Sequence, residues 1–329
     1  MTSILVTGGS GLIGSYTVKA LVERGDTVIV LDLALPRNPK IRWLLRDVWE
    51  QVIFVEGTVS DDFPTLLTTC KEYNVEKIFH AAAIFRHAYE QAHPYYSLHT
   101  ATVGMLNICE AARLLGLGRI VFAGSNGEYD SLMVDHDGTP LEPTVARMFH
   151  PQVGSIPYSS GKKLATIIGM CYWQTQDVDW VNVRLSRVWG LGAKKETTTG
   201  TILMIENAVD GLPTHLNLGT EDQTRCQTYV KDVAQGVLLA LDVPNSRLQQ
   251  RVFNIGSLEE TSDRDTARII KEFLPAAEIE LQGGGVNRRA FDIQAARDQL
   301  GFEPQYNLHA GVQDHIAMYR AYQRHQTTK

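Results

Sequence analysis

"ILVTGGSGLIGSYTVKALVERG", residues 4–25, decides the architecture. An apolar strand (3–7) runs into Gly8, Gly11 and Gly14, spaced G-x-x-G-x-x-G, and a helix (12–24) opens directly behind them. Glycine permits the tight turn, lets the backbone approach a pyrophosphate, and lets the helix pack closely on the strand. The helix N-terminus then offers unpaired N–H groups and a positive dipole to the anion. A glycine triplet by itself says little, but this one sits on a strand–turn–helix and is followed by a second strand, "TVIVLD" (27–32), ending in Asp32. Asp32 stands 18 residues after Gly14, where a carboxylate accepts hydrogen bonds from ribose hydroxyls and repels a 2′-phosphate. The pattern therefore favours NAD over NADP, a preference that a looped-back Arg37 would soften.

Working outward, further strands are expected at 52–55, 77–81, 119–123 and 181–185, several of them near-continuously hydrophobic. Such runs suit strands buried on both faces of a parallel sheet. Between them lie helical patterns at 62–73, 94–115 and 157–175. In the 94–115 helix, Leu98, Ala101, Met105, Ile108, Ala112 and Leu115 recur at steps of three and four before Gly116 and Gly118. The alternation is that of an α/β, doubly wound parallel (Rossmann) sheet. After residue 186 the rhythm loosens into "GLGAKKETTTGT" (190–201), a helix (202–210) and the irregular "GLPTHLNLGTEDQTRC" (211–226). A helix (230–242) and a strand (251–256) restore it, and helices near 263–273 and 308–325 flank "GGG" at 283–285. The expected division is an NAD-binding domain of 1–185 plus 228–256, and a smaller C-terminal substrate lobe of 186–227 plus 257–329.

The bulk of the sequence excludes several functions. Of 329 residues, 44% are hydrophobic and 21% charged, and the net charge of -6 carries no basic stripe for nucleic acid. No apolar run approaches the ~18 residues of a membrane span. The start "MTSILVTGG" enters a strand at once and does not read as a signal peptide. Cys70, Cys109, Cys171 and Cys226 are far apart, as for reduced thiols in a cytoplasmic protein. His80, His87, His93 and His99 fit no zinc spacing, so no metal is expected.

In "IPYSSGKK" (156–163), Tyr158 and Lys162 are one helical turn apart on a single face. Y-x-x-x-K arises by chance on exposed helices, so its meaning depends on its surroundings. Tyrosine has a reference pKa near 10, and moving it about three units towards neutrality takes roughly 4 kcal/mol of preferential stabilisation of the phenolate. A nearby ammonium and the positive ring of bound NAD supply that in a poorly hydrated site. The phenolate then takes a proton from a substrate hydroxyl while hydride leaves the same carbon. Ser125, placed just beyond the strand 119–123, stands at the carboxyl end of a parallel sheet, where ligands sit, and can position the substrate oxygen.

Taken in order, "TGGSGLIG", Asp32, "HAAA" (80–83), "AGSNGEY", "PYSSGKK", "VRLSRVWGLG", "TYVKDVA" (228–234), "VFNIG" (252–256) and "LGFEPQYNL" (300–308) resemble an extended short-chain dehydrogenase/reductase of the NAD-dependent epimerase/dehydratase family. The resemblance spans nearly the whole chain. It implies a catalytic triad of Ser125, Tyr158 and Lys162, with Lys162 also holding the nicotinamide ribose. It implies a cofactor site of Gly8, Gly11, Leu12, Ile13, Gly14, Asp32, Thr58, Val59, Ala81, Ala82, Ala83, Tyr158, Lys162 and Leu185, and a homodimer through the 94–115 and 157–175 helices. The chain also departs from the family. Ala101 stands where members often carry asparagine, and Asn126 and Gly127 replace the Asp-Glu of the dehydratases. Arg187 stands where nucleotide-sugar epimerases usually have asparagine. Arg225 aligns with their phosphate-binding arginine, and Arg288 or Arg289 can serve similarly. Asn126, Arg187 and Arg225, together with Glu128, are candidate substrate contacts; ion pairing or loop capping accounts for them equally well. Trp180 and Trp189 read as packing. The expected function is oxidoreduction at a secondary alcohol carbon of a sugar or sugar derivative, as a nucleotide-sugar 4-epimerase. The alternatives are a one-way dehydrogenase of a small hydroxy substrate and, more remotely, a non-catalytic NAD sensor.

Overall fold

The computed structural model describes residues 1–85, 87–133, 139–144, 156–193, 200–216, 221–284 and 287–327. In chain order the elements are β1 (Ser3–Thr7), α1 (Leu12–Arg24), β2 (Thr27–Asp32), α2 (Pro39–Leu45), β3 (Val52–Glu56), α3 (Phe63–Glu72), β4 (Lys77–His80), α4 (His87–Ala92), α5 (Pro94–Leu115) and β5 (Ile120–Ser125). There follow α6 (Pro157–Gln176), β6 (Trp180–Leu185), β7 (Arg187–Trp189), α7 (Gly200–Asp210), β8 (Thr214–Leu216), β9 (Arg225–Tyr229) and α8 (Val230–Asp242). The chain closes with β10 (Val252–Ile255), β11 (Glu260–Thr261), α9 (Asp263–Phe273), β12 (Ile279–Leu281) and α10 (Leu308–Thr327).

Seven parallel strands make the central sheet in the order β10-β6-β5-β4-β1-β2-β3. From β1 the chain first winds one way, to β2 and β3, and then the other, to β4, β5 and β6. The crevice between β1 and β4 is therefore the switch point where doubly wound sheets bind ligands. Thr7 lies level with both Leu31 and His80, so the carboxyl ends of β1, β2 and β4 form one rim.

The hydrophobic runs are continuous because both sheet faces are covered. Ile4, Val6, Val28 and Val30 point into one apolar cluster with Val18, Leu21, Val233 and Val237 of α1 and α8. Leu5, Ile29 and Leu31 point into the other, with Met105, Ile108 and Ala165 of α5 and α6. Trp180 is fully buried there, under Gly169 of α6. A third cluster joins Trp189, Ile202, Ile205, Tyr229, Ile270 and Val312 beneath α7, α9 and α10. The short sheets β11-β9-β7 and β12-β8 lie in this C-terminal part.

The expected long elements are all present, with boundaries shifted by a residue or two. Helix α2 went unread, although Asn38 caps it by accepting from Lys40 N at 3.0 Å and Pro39 opens it. The stretch 211–226 is not wholly irregular: β8 and the start of β9 lie in it. Strands of two or three residues are too short to show a period. Residues 194–199, 217–220 and 285, within the expected loops, lie outside the described residues.

Candidate active site

Geometry at the end of β1 leaves no room for side chains. Gly8 has φ +74°, in the left-handed region, and a Cβ there would sit 2.7 Å from Ala82 N. Gly11 N donates to Gly8 O at 3.1 Å, closing the turn. A Cβ on Gly14 would lie 2.2 Å from Gly8 O. Helix α1 begins after Gly11 with no side-chain cap and no acid in its first turn, so its first N–H groups face outward for an anion. A cradle that only bare backbone can form, ending in an uncapped helix, fits the pyrophosphate of a dinucleotide.

Asp32 closes the rim. Its Oδ2 accepts from Ser10 N at 2.9 Å and its Oδ1 from Leu33 N at 2.8 Å. Burial raises its pKa from the usual carboxylate value, and the donors from Ser10 and Leu33 partly offset this. Each oxygen keeps a lone pair for ribose hydroxyls. Ser10, which also donates to Ala34 O at 2.8 Å, ties the glycine loop to β2; sequence reading passed over it because only the glycines stood out. Among the other expected cofactor residues, Leu12 and Ile13 open α1 and pack partly into the apolar clusters. Ala81 N donates to Thr7 O at 3.1 Å. The Val59 and Leu185 side chains are buried in the core, so what they offer a ligand is backbone. Thr58 lies at the rim beside Ser60, with the hydroxyls 3.1 Å apart.

Pro157 opens α6, which puts Tyr158 and Lys162 on its first turns. Both line one cavity with His80, Ala82, Ala83, Ile84, Ser97, Ala101 and Phe122. The Lys162 Nζ lies 5.7 Å from the Tyr158 ring centroid and 4.6 Å from that of Phe122, and donates to Ala123 O at 2.6 Å. Burial lowers the Lys162 pKa to about 8, with Glu128 opposing the shift. His80, Nδ1 to Thr7 Oγ1 at 2.7 Å, is pushed down to about 3 by burial and by Lys162. It is neutral at physiological pH, so among the described lining residues Lys162 is the cation.

This burial has a measurable consequence in the cofactor-free protein. The folded Lys162 loses its proton near pH 8 and the unfolded one near 10.5, so stability rises with pH across that window and the full cost applies below it. The shift corresponds to about 3 kcal/mol, less about 1 kcal/mol for the hydrogen bond to Ala123. Lys162→Met is therefore expected to stabilise the protein by about 2 kcal/mol at pH 7, a gain that fades between pH 8 and 10.5. Urea unfolding at several pH values measures it, and a destabilised variant at pH 7 contradicts it.

Ser125 ends β5 rather than following it. Its Oγ accepts from Gly127 N at 3.1 Å and lies 3.3 Å from Asn126 Oδ1. Gly127 lies between the hydroxyls of Ser125 and Ser159: a Cβ there would meet them at 3.4 and 2.6 Å. Glu128 is not a substrate contact. It is buried, and its carboxylate accepts from Ser125 N at 3.0 Å, Thr166 Oγ1 at 3.0 Å, Asn182 Nδ2 at 3.2 Å and Arg184 Nε at 2.7 Å. It thus braces β5, β6 and α6 together. Glu128→Gln strands the buried Arg184 charge and is expected to cost about 3 kcal/mol, read as a lower urea midpoint at unchanged slope.

Arg187, Arg225 and Arg288 come close enough for their charges to interact. Arg187 is accessible, whereas Arg225 is buried, ion-paired with the buried Asp263, and donates to Gln223 O at 3.1 Å. Arg225 is therefore not a free phosphate-binding arm. Arg289 donates to Thr139 O at 2.6 Å.

The family model for the NAD dependent epimerase/dehydratase family matches residues 4–256. A UDP-glucose 4-epimerase of Mycolicibacterium smegmatis is 28% identical over 322 residues, covering 96% of this chain and 98% of that protein. UDP-glucuronic acid decarboxylase 1 of Arabidopsis thaliana is 25% identical over 338 residues, covering 96% and 69%. The crystal structure of the Thermotoga maritima UDP-glucose 4-epimerase with UDP-glucose superposes at TM-score 0.82 and 23% identity, covering 97% of this chain and 99% of that one.

Proposed function

Since the chain belongs to the NAD dependent epimerase/dehydratase family, whose cofactor is NAD, we propose that it is a nucleotide-sugar 4-epimerase. The observation that carries this reading is the shared cavity of Tyr158 and Lys162, lying beside the glycine cradle at the carboxyl ends of β4 and β5. The similarity to a UDP-glucose 4-epimerase over nearly the full length of both chains supports it.

In this reading Ser125 holds the substrate oxygen by a hydrogen bond and Tyr158, as phenolate, accepts its proton. Lys162, a buried cation one turn away, keeps the phenol oxygen charged. NAD, when bound, supplies the acceptor for the electron pair of the carbinol C–H bond. The 81–85 backbone and Asp32 orient the ligand, and Asn126 and Arg187 face the substrate side. The pairing of Arg225 with Asp263 weakens the grip on a nucleotide diphosphate, and so favours a second reading, one-way dehydrogenation of a smaller hydroxy substrate.

Incubation with NAD and a panel of nucleotide sugars, free sugars and hydroxy acids separates the two. Interconversion of UDP-glucose and UDP-galactose without net NADH is expected. Net NADH from a small substrate supports the second reading, and silence across the panel supports an NAD sensor.

The same reading assigns 1–185 with 228–256 to the NAD-binding unit and 186–227 with 257–329 to the substrate lobe. It assigns a homodimer through α5 and α6, where Leu106, Leu114, Leu164 and Ile167 stand exposed. Among the described residues no helix is long and apolar enough to cross a membrane. The four cysteines are unbridged, in keeping with a cytoplasmic enzyme.

A further inference from the structure

We propose that Phe85 is a positioning residue for Tyr158, holding its phenol in the rotamer that faces the Lys162 cavity. The inference rests on the reading of Tyr158 as the proton acceptor. Phe85 lies in the connection that leaves β4 at the carboxyl rim of the sheet, and Ala82, Ala83 and Ile84 just before it line the cavity. Its ring centroid is 4.8 Å from that of Tyr158, with the planes tilted by 58°, within the range of attractive aromatic pairs. Phe85 is nevertheless 49% exposed and belongs to none of the apolar clusters. A large apolar side chain that contributes nothing to the core and rests on the phenol ring serves the site.

Tyr158 is the second residue of α6, directly after Pro157, so its backbone lies at a helix end and its side chain is fixed by its neighbours. Ring contacts to it come from Phe85 of the segment after β4 and from Lys162 of its own helix. Among the described residues, the charged and titratable groups around the cavity are Tyr158 itself, Lys162, the neutral His80 of β4, and Glu128 behind Lys162. Without the Phe85 ring, the phenol loses this packing contact and is held less firmly beside the ammonium.

The test uses the NAD-bound protein. The tyrosinate absorbance of the Tyr158→Phe variant is subtracted from that of wild type, which isolates the titration of this one phenol. The same subtraction is made for Phe85→Leu and Phe85→Tyr, each paired with its own Tyr158→Phe double variant. Phe85→Leu is expected to move the Tyr158 titration upward by about one unit, a tenfold change in its ionisation constant. It is also expected to lower kcat for UDP-glucose about tenfold, with KM and NAD affinity within about twofold. Phe85→Tyr, which keeps the ring, restores wild-type behaviour. An unchanged titration in Phe85→Leu overturns the inference alone, as does an equal loss of NAD affinity, which would make the role purely structural. An ordinary tyrosine titration in wild type overturns it together with the assignment of Tyr158.

Discussion

Tyr158→Phe is expected to lower turnover of UDP-glucose by roughly 10³-fold and to leave NAD affinity within a factor of about two. The substitution removes one oxygen. The ring remains, with its contact to Phe85 at 4.8 Å, and Lys162 keeps its hydrogen bond to Ala123, so the cavity keeps its shape. What disappears is the proposed acceptor of the substrate proton, and a positioned base contributes 10²- to 10⁴-fold. His80 cannot replace it, because burial keeps its imidazole a weak base and its Nδ1 is engaged with Thr7. Initial rates at saturating substrate, with NAD binding followed separately, give the two numbers. Residual activity above about a tenth of wild type contradicts the role.

Gly14→Ala is expected to weaken NAD binding about 100-fold or more, about 2.7 kcal/mol. The added Cβ would lie 2.2 Å from Gly8 O and 2.7 Å from Gly9 Cα. Both are backbone atoms of the turn itself, so the clash is relieved only by moving α1 away from the loop and opening the cradle. Gly57→Ala is the matched control, since its nearest neighbour is the Thr65 methyl at 3.4 Å, an ordinary contact. The thermal shift produced by NAD reads the difference, because a ligand stabilises by its concentration relative to Kd. Equal shifts in wild type and Gly14→Ala would mean that the pyrophosphate does not lie on this loop.

The sheet was legible because its signal is local. Strands such as "TVIVLD", apolar on both faces, and the glycine turn each announce themselves within a dozen residues. The proximity of Tyr158 and Lys162 was legible for the same reason, as a consequence of helical pitch. Long-range pairing was not. Nothing near Arg225 in sequence says that Asp263 is its partner, and nothing near Glu128 says that Arg184 and Asn182 converge on it. The same holds for Lys40, which bridges from α2 to Glu206 of α7 at 2.5 Å, with His315 of α10 at 3.7 Å from that carboxylate. Phe85 lies beyond "HAAA" with no motif of its own, and its value comes only from the ring it touches.

The most direct test is a crystal structure of the protein with NAD bound. The account predicts the pyrophosphate on the Gly8–Gly14 turn and the ribose hydroxyls at Asp32. It also predicts the Tyr158 hydroxyl and the nicotinamide ring facing one chamber, each within about 3–3.5 Å of where a substrate carbinol would sit. A phenol oxygen turned to bulk solvent, or a dinucleotide lying anywhere else, would contradict it.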